Sequence, residues 1–162
     1  MIRAIATFLF VGYLRPAPGT WGSLAALPVG WALMVLFGPI GLVAATGALF
    51  AAGLWATRGM IAGQSDHDPS EVVVDEVVGQ WIALWPLAFG AAANGAPYTA
   101  LWPGWIAAFL LFRLFDITKW GPVGWADRRG DALGVMLDDV FAGVFAAIGV
   151  VLLAGLFHAV LM

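Results

Sequence analysis

Long uncharged runs alternate with short charged segments along the chain, and this alternation predicts its secondary structure. The uncharged runs cover residues 16–57, 77–112 and 140–162. A membrane-crossing helix needs about 20 apolar residues, so the first two runs are long enough for two crossings each and the third for one. Gly38-Pro39 interrupts the first run and Asn94-Gly95 the second, which predicts the turns of two helical hairpins.

The pattern therefore predicts an all-α fold, a polytopic membrane helical bundle of about five transmembrane spans plus an N-terminal interfacial helix. The spans are expected at about 23–37, 40–58, 76–92, 99–117 and 139–160. Residues 2–14 form the apolar segment expected to lie at the membrane surface. A single membrane-embedded domain over 1–162 fits this length.

Composition supports a membrane protein. Hydrophobic residues make up 62% of the chain and charged residues 10%, whereas soluble domains are about 25% charged. There is no Cys, and the net charge is −3 without a basic run, so nucleic acid is not an expected partner. All seven Lys and Arg residues fall on one face of the predicted bundle, which the positive-inside rule makes cytoplasmic.

Two pairs of carboxylates, Asp75-Glu76 and Asp138-Asp139, are the main chemical candidates, because each pair precedes an uncharged run. The predicted topology brings both pairs to one depth together with Asp116. Acids at helix starts also serve as caps and favour the helix dipole, which would explain a single acid. Ionisable groups at a membrane boundary are costly, and carboxylates without Cys suit Mg²⁺, so this number of acids favours a metal site.

Basic and hydroxyl side chains beside these acids are candidates for phosphate binding. Arg113, Lys119 and Arg128 frame the loop between the last two predicted spans, and Arg binds phosphate through its planar fork. For Arg128, positive-inside anchoring is the simpler interpretation. Thr20 and Ser23, in a Gly- and Pro-rich loop, are expected either to cap a helix or to donate to phosphate. Acids that hold Mg²⁺ beside these bases indicate phosphoryl chemistry at a membrane face.

A glycine follows each acid pair at a similar spacing. Gly79 lies three residues beyond Glu76, and Gly143 lies four residues beyond Asp139. Small residues one turn along a helix allow close helix packing. His67, between two acids in a loop, is expected to be solvated.

At these motifs the chain resembles the phosphatidylglycerophosphatase A family. Three blocks carry the resemblance: Gly12 with residues 17–24; Asp68-Pro69 with residues 73–81; and residues 112–117 with Lys119, Trp125, Asp127-Arg128 and residues 134–143. The chain departs from the family pattern in one loop. Trp120-Gly121 separates Lys119 from Pro122, and Asp131-Ala132 stands where the family has two glycines.

The resemblance implies a Mg²⁺-dependent phosphatase of the bacterial inner membrane, with its site at the cytoplasmic face. It would hydrolyse phosphatidylglycerophosphate to phosphatidylglycerol and inorganic phosphate. The resemblance implies three overlapping sets of site residues. The expected metal ligands are Asp75, Glu76, Asp138 and Asp139, and the residues expected to take part in catalysis are Asp75, Glu76, Asp116 and Asp139. The residues expected to bind the substrate are Thr20, Ser23, Arg113, Lys119 and Arg128. The expected nucleophile is a water activated by the metal, with an aspartyl-phosphate intermediate as the alternative.

Two other classes compete with this interpretation. A non-enzymatic membrane cation carrier or assembly subunit would place ionisable groups near the membrane midplane, where the predicted hairpin spans are uncharged. A lipid phosphotransferase would concentrate its acids in one long motif, which fits two separated pairs less well.

Overall fold

The computed structural model describes residues 1–63 and 69–161, and all regular secondary structure in this part of the chain is helical. His67 and Asp68, with the start of the second family block, lie outside the described residues. The α-helices are α1 (Ile2–Ala6), α2 (Pro18–Ile61), α3 (Val74–Ala93), α4 (Trp102–Thr118), α5 (Pro122–Asp127) and α6 (Ala132–Leu161), with short 3₁₀ helices at Val11–Tyr13 and Tyr98–Leu101.

Three helical segments of the described chain are long and apolar enough to cross a membrane. They are Pro18–Ile61, Tyr98–Thr118 and Ala132–Val160, and only about a fifth of each apolar stretch is buried inside the protein, which leaves the rest able to contact lipid. α3 is not among them. Most of its residues are buried, because the other long helices pack around it. The all-helical membrane class is confirmed, and the count of about five spans is not.

α2 contains both of the first two predicted spans and reverses direction between them. Its backbone is non-helical at Gly38, where φ is 68° and ψ is −171°, a conformation that glycine adopts without strain. In the first half of α2, Gly22 lies against Val73 and Gly30 lies against Leu84. In the second half, Thr46 lies against Trp85 and Gly53 lies against Val74. The two halves therefore follow α3 in opposite directions, and the break predicted at Gly38-Pro39 is present.

The prediction of one interfacial helix over 2–14 is wrong. α1 has five residues, and residues 8–10 all have positive φ. The Thr7 hydroxyl donates to the Arg3 carbonyl at 2.8 Å and accepts the Phe10 N–H at 3.0 Å. These local bonds satisfy backbone groups outside a helix, so the chain turns where hydrophobicity alone predicted a continuous helix.

α6 begins earlier than predicted, so Asp138-Asp139 lies in the second turn of the helix and does not open it. The cap is Asp131, whose Oδ1 accepts the Gly134 N–H at 2.7 Å. A bond from the Arg129 guanidinium and this backbone bond hold the pKa of Asp131 below its usual value. Asp131 is one of the two residues that stand where the family has two glycines, and its role here is to start the helix.

α3 and α6 cross with their backbones in contact at the two glycines that follow the acid pairs. A Cβ on Gly79 would lie 2.6 Å from the Asp139 carbonyl oxygen, and a Cβ on Gly143 would lie 2.5 Å from the Gly79 carbonyl oxygen. Both distances are shorter than van der Waals contact allows, so neither position has room for a side chain. The crossing holds Asp75 and Asp139, each one turn before its glycine, on facing helices.

We expect Gly143→Ala to lower the free energy of unfolding by about 1–3 kcal/mol, because the added methyl group forces the two helix backbones apart. Chemical or thermal unfolding of the purified protein in detergent measures this. The matched control is Gly47→Ala in α2, where nothing lies within 4 Å of an added Cβ. That change should leave stability equal or slightly higher, and equal stability of both variants would refute the close crossing.

Candidate active site

A cavity of about 310 Å³ opens where the starts of α2 and α3 meet the end of α4 and the second turn of α6. Eight of the residues predicted to form the site line it: Thr20, Asp75, Glu76, Arg113, Asp116, Lys119, Asp138 and Asp139. The fold therefore gathers acids and bases from distant parts of the sequence into one place.

Three carboxylates in this cavity form a group suited to a metal ion. One oxygen each from Asp75, Glu76 and Asp139 lie within 4.8 Å of one another. Glu76 Oε2 and Asp139 Oδ1 are buried and have no hydrogen-bond partner among the described residues. Buried carboxylate oxygens without partners are costly, and like charges repel. An oxygen-only donor set of this kind fits Mg²⁺.

Asp138 has a different partner from the other three predicted metal ligands. Its Oδ2 forms a short ion pair with the Lys119 ammonium, and its Oδ1 accepts the Asp139 N–H at 2.9 Å. It is not part of the three-carboxylate group. The two neighbouring acids on α6 thus point to different partners, one to a cation and one to the carboxylates of α3.

Lys119 ends α4 and connects several acids. Its Nζ lies 3.4 Å from Asp116 Oδ1 and 3.4 Å from Asp127 Oδ1, in addition to the Asp138 contact. Burial alone would lower the pKa of Lys119, but the carboxylates of Asp138 and Asp139 raise it above its usual range. The ammonium group therefore remains charged and balances part of the acidic lining.

Arg113 is held on two sides. Its NH1 lies 2.6 Å from Asp116 Oδ2 and donates to Ser23 Oγ at 3.5 Å, while its buried Nε has no partner among the described residues. Ser23 in turn donates to the Gly19 carbonyl at 2.9 Å, so its hydroxyl orients Arg113 from behind the cavity wall. Asp116 forms an ion pair with Arg113, which favours an orienting role for it over that of a base.

Sequence reasoning missed Gly19 as an individual site residue. A Cβ there would overlap Glu76 Oε1 and would lie 3.2 Å from Arg113 NH1. Gly19 therefore allows the Glu76 carboxylate to rest against the start of α2. The only signal in the sequence is a glycine directly after Pro18 at a helix start, which is common for other reasons.

Two further outcomes concern the cavity wall. Arg128, predicted to bind substrate, is exposed and does not line the cavity; its guanidinium lies beside Gly124. Ser70 and Ile117 do line it. Ile117 lies next to Asp116 in the third family block, whereas nothing in the local sequence of Ser70 suggests a site, and its position follows only from how the start of α3 packs.

Acids, an Arg and a Lys around one cavity of an all-helical membrane protein fit the class of membrane enzymes that act on phosphate groups. Comparison with known sequences identifies the family. A family model described as phosphatidylglycerophosphatase A matches residues 4–154. The chain belongs to the phosphatidylglycerophosphatase A family and is a phosphatase.

Individual relatives agree with this assignment. The phosphatidylglycerophosphatase A of Haemophilus influenzae is 35% identical over 148 residues, covering 91% of this chain and 85% of that protein. The Escherichia coli protein of the same name is 37% identical over 133 residues, covering 80% and 70%. A putative phosphatidylinositol-3-phosphatase of Bacteroides thetaiotaomicron is 39% identical over 148 residues, covering 89% and 87%. No solved structure gives a significant match.

We expect Lys119→Met to lower the free energy of unfolding by about 2–3 kcal/mol, because it leaves the buried Asp138 carboxylate without its cation. The double variant Lys119→Met with Asp138→Asn should recover part of this loss, since both partners are removed together. Unfolding in detergent measures all three proteins. Arg129→Met, which breaks the exposed Asp131 pair, is the control and should barely change the transition. Additive losses in the double variant would contradict the pairing.

Proposed function

We propose that the protein is a Mg²⁺-dependent phosphatase that hydrolyses phosphatidylglycerophosphate to phosphatidylglycerol and inorganic phosphate. The observation that supports this most is the group of Asp75, Glu76 and Asp139, with two unpartnered buried oxygens, in the same cavity as Arg113 and Lys119. The names of the Haemophilus influenzae and Escherichia coli relatives support the choice of lipid.

A second candidate substrate is a phosphoinositide. It is favoured by the Bacteroides thetaiotaomicron relative, whose name is putative phosphatidylinositol-3-phosphatase and whose identity to this chain is 39%. Both candidates are phosphate monoesters on a lipid headgroup, so both need the same reaction. A direct comparison of the two lipids as substrates decides between them.

The cavity residues divide into three roles in this proposal. Asp75, Glu76 and Asp139 would hold Mg²⁺, which when bound neutralises the phosphate charge and activates the attacking nucleophile. Arg113, fixed by Asp116 and Ser23, keeps its Nε–H available for a phosphate oxygen. Lys119 supplies a fixed positive charge that favours the phosphate dianion near so many acids.

The proposed location is the bacterial inner membrane with the cavity at the cytoplasmic face. The Lys and Arg residues support this orientation, because none of them lies in the turn at Gly38-Pro39 or in the connection between α3 and α4, at the end of the bundle away from the cavity, and positive charge is concentrated on the cytoplasmic side. The lipid tails would then remain in the membrane while the terminal phosphate reaches the carboxylates. A cation carrier, an assembly subunit or a lipid phosphotransferase would release no inorganic phosphate, which separates these alternatives from the proposal.

We expect purified protein to release phosphate from phosphatidylglycerophosphate only with Mg²⁺, and Glu76→Gln to reduce turnover by on the order of 100-fold or more. Mg²⁺ should also raise the melting temperature of the wild type but not that of Glu76→Gln. Without Mg²⁺, Glu76→Gln should melt above the wild type, because one of three repelling carboxylates is gone.

Asp131→Asn is the matched control for Glu76→Gln. It also removes one carboxylate charge, but from the capping position of α6 outside the cavity, where Asn caps equally well. It should keep the activity and the Mg²⁺-induced stabilisation of the wild type. Normal activity of folded Glu76→Gln, or Mg²⁺ stabilisation that persists in it, would contradict the proposed metal group.

Water is the proposed nucleophile: its oxygen attacks phosphorus and loses a proton, the P–O bond to glycerol breaks, and the departing glycerol oxygen takes up a proton. We therefore expect a substrate with an isotopically chiral terminal thiophosphate to be hydrolysed with inversion of configuration at phosphorus. Stereochemical analysis of the released thiophosphate checks this. Retention of configuration, which requires two successive displacements, would instead establish an aspartyl-phosphate intermediate.

A further inference from the structure

Arg15 lies at the rim of the cavity. Its NH1 donates to Ser70 Oγ at 3.1 Å, and Ser70 lines the cavity wall. Arg15 itself is exposed, and no carboxylate of the described residues forms an ion pair with it. Its guanidinium therefore has donors left for a ligand that enters beside Ser70.

The cations inside the cavity are already matched to acids. Arg113 pairs with Asp116, and Lys119 lies within ion-pair distance of three Asp residues. Acids outnumber bases in the lining of the cavity. A ligand that carries a second anionic group therefore gains no favourable charge interaction by placing that group deeper in the cavity. Arg15, at the rim, can bind this second anionic group without breaking an existing ion pair.

The residues before Arg15 suit a position near lipid headgroups. Tyr13 and Leu14 are about half exposed, and Tyr is enriched at membrane–water interfaces. Arg15 thus stands between an apolar surface and the wall of an acidic cavity. Consider a lipid whose headgroup has a phosphodiester next to the tails and a phosphate monoester at its end. Its tails would lie on the apolar surface, its phosphodiester at Arg15 and its monoester in the cavity.

We infer that Arg15 binds the phosphodiester of the lipid substrate while the terminal phosphate lies among the carboxylates. The inference rests on the proposed function and deepens it, because it makes Arg15 a specificity residue for headgroups with two phosphates. A guanidinium binds phosphate oxygens through charge-assisted hydrogen bonds that an ammonium group matches only in charge. Phosphatidate, which has a terminal phosphate and no diester, would not use Arg15.

The test compares the full-length wild type, Arg15→Gln and Arg15→Lys in neutral detergent with Mg²⁺. We expect Arg15→Gln to raise KM for phosphatidylglycerophosphate about tenfold with little change in kcat, and Arg15→Lys to give a smaller rise. KM for phosphatidate, or its inhibition constant if it is turned over too slowly, should not change. Inhibition by the product phosphatidylglycerol, which keeps the diester, should weaken about tenfold in Arg15→Gln.

Arg58→Gln is the matched control, since Arg58 is an exposed cation in the last turn of α2 that does not line the cavity. Its kinetic constants should equal those of the wild type for both lipids. Equal losses for both lipids in Arg15→Gln, or no loss for either, would overturn the inference. A loss that appears only when anionic lipid is added would also overturn it, because Arg15 would then bind neighbouring lipids of the membrane.

The failure of the proposed function would be visible separately. If the wild type releases no phosphate from phosphatidylglycerophosphate, the function is wrong, and the Arg15 inference is then tested by binding alone. In that case phosphatidylglycerol should still raise the melting temperature of the wild type and of Arg58→Gln, and not that of Arg15→Gln. Equal stabilisation of all three would refute the diester site.

Discussion

The contact between α3 and α6 at Gly79 and Gly143 is the constraint on which the rest of the site depends. Each glycine lies one helical turn after an acid, so the distance between the helix backbones sets the distance between Asp75 and Asp139. Two carboxylates from different helices repel each other and do not approach without an external constraint. Backbone contact at the crossing supplies that constraint, since packed helices resist separation more strongly than a pair of surface loops would.

The electrostatics of the cavity follow from how its charges are paired. Asp116 and Asp138 are paired with cations, while Glu76 and Asp139 each keep one buried oxygen that has no hydrogen-bond partner in the described part of the chain. Two acids of the cavity thus hold bases in place, and the other two remain available to bind a ligand. Two adjacent residues, Asp138 and Asp139, fall on different sides of this division because successive side chains of a helix point in directions about 100° apart.

The sequence allowed the acids of the cavity, its bases Arg113 and Lys119 and the break at Gly38 to be predicted, because charge in an apolar chain and a Gly-Pro pair are strong local signals; the same signal wrongly added the exposed Arg128 to the cavity. The start of α6 could not be placed, since the capping role of Asp131 depends on one hydrogen bond to Gly134. Gly19 and Ser70 were missed for another reason. Each joins the site through the packing of helices distant in sequence, and no local pattern records such contacts.

The arrangement of α2 around α3 has a consequence for biosynthesis. Domains and their elements emerge from the ribosome in order from the N-terminus, so both halves of α2 precede α3. The helix that carries Asp75 and Glu76 therefore emerges when only part of the surface that buries it, the two halves of α2, already exists. Asp139 follows more than 60 residues later. During synthesis α3 is therefore covered on one side before the three-carboxylate group is complete, and α6 supplies both the third carboxylate and much of the remaining cover.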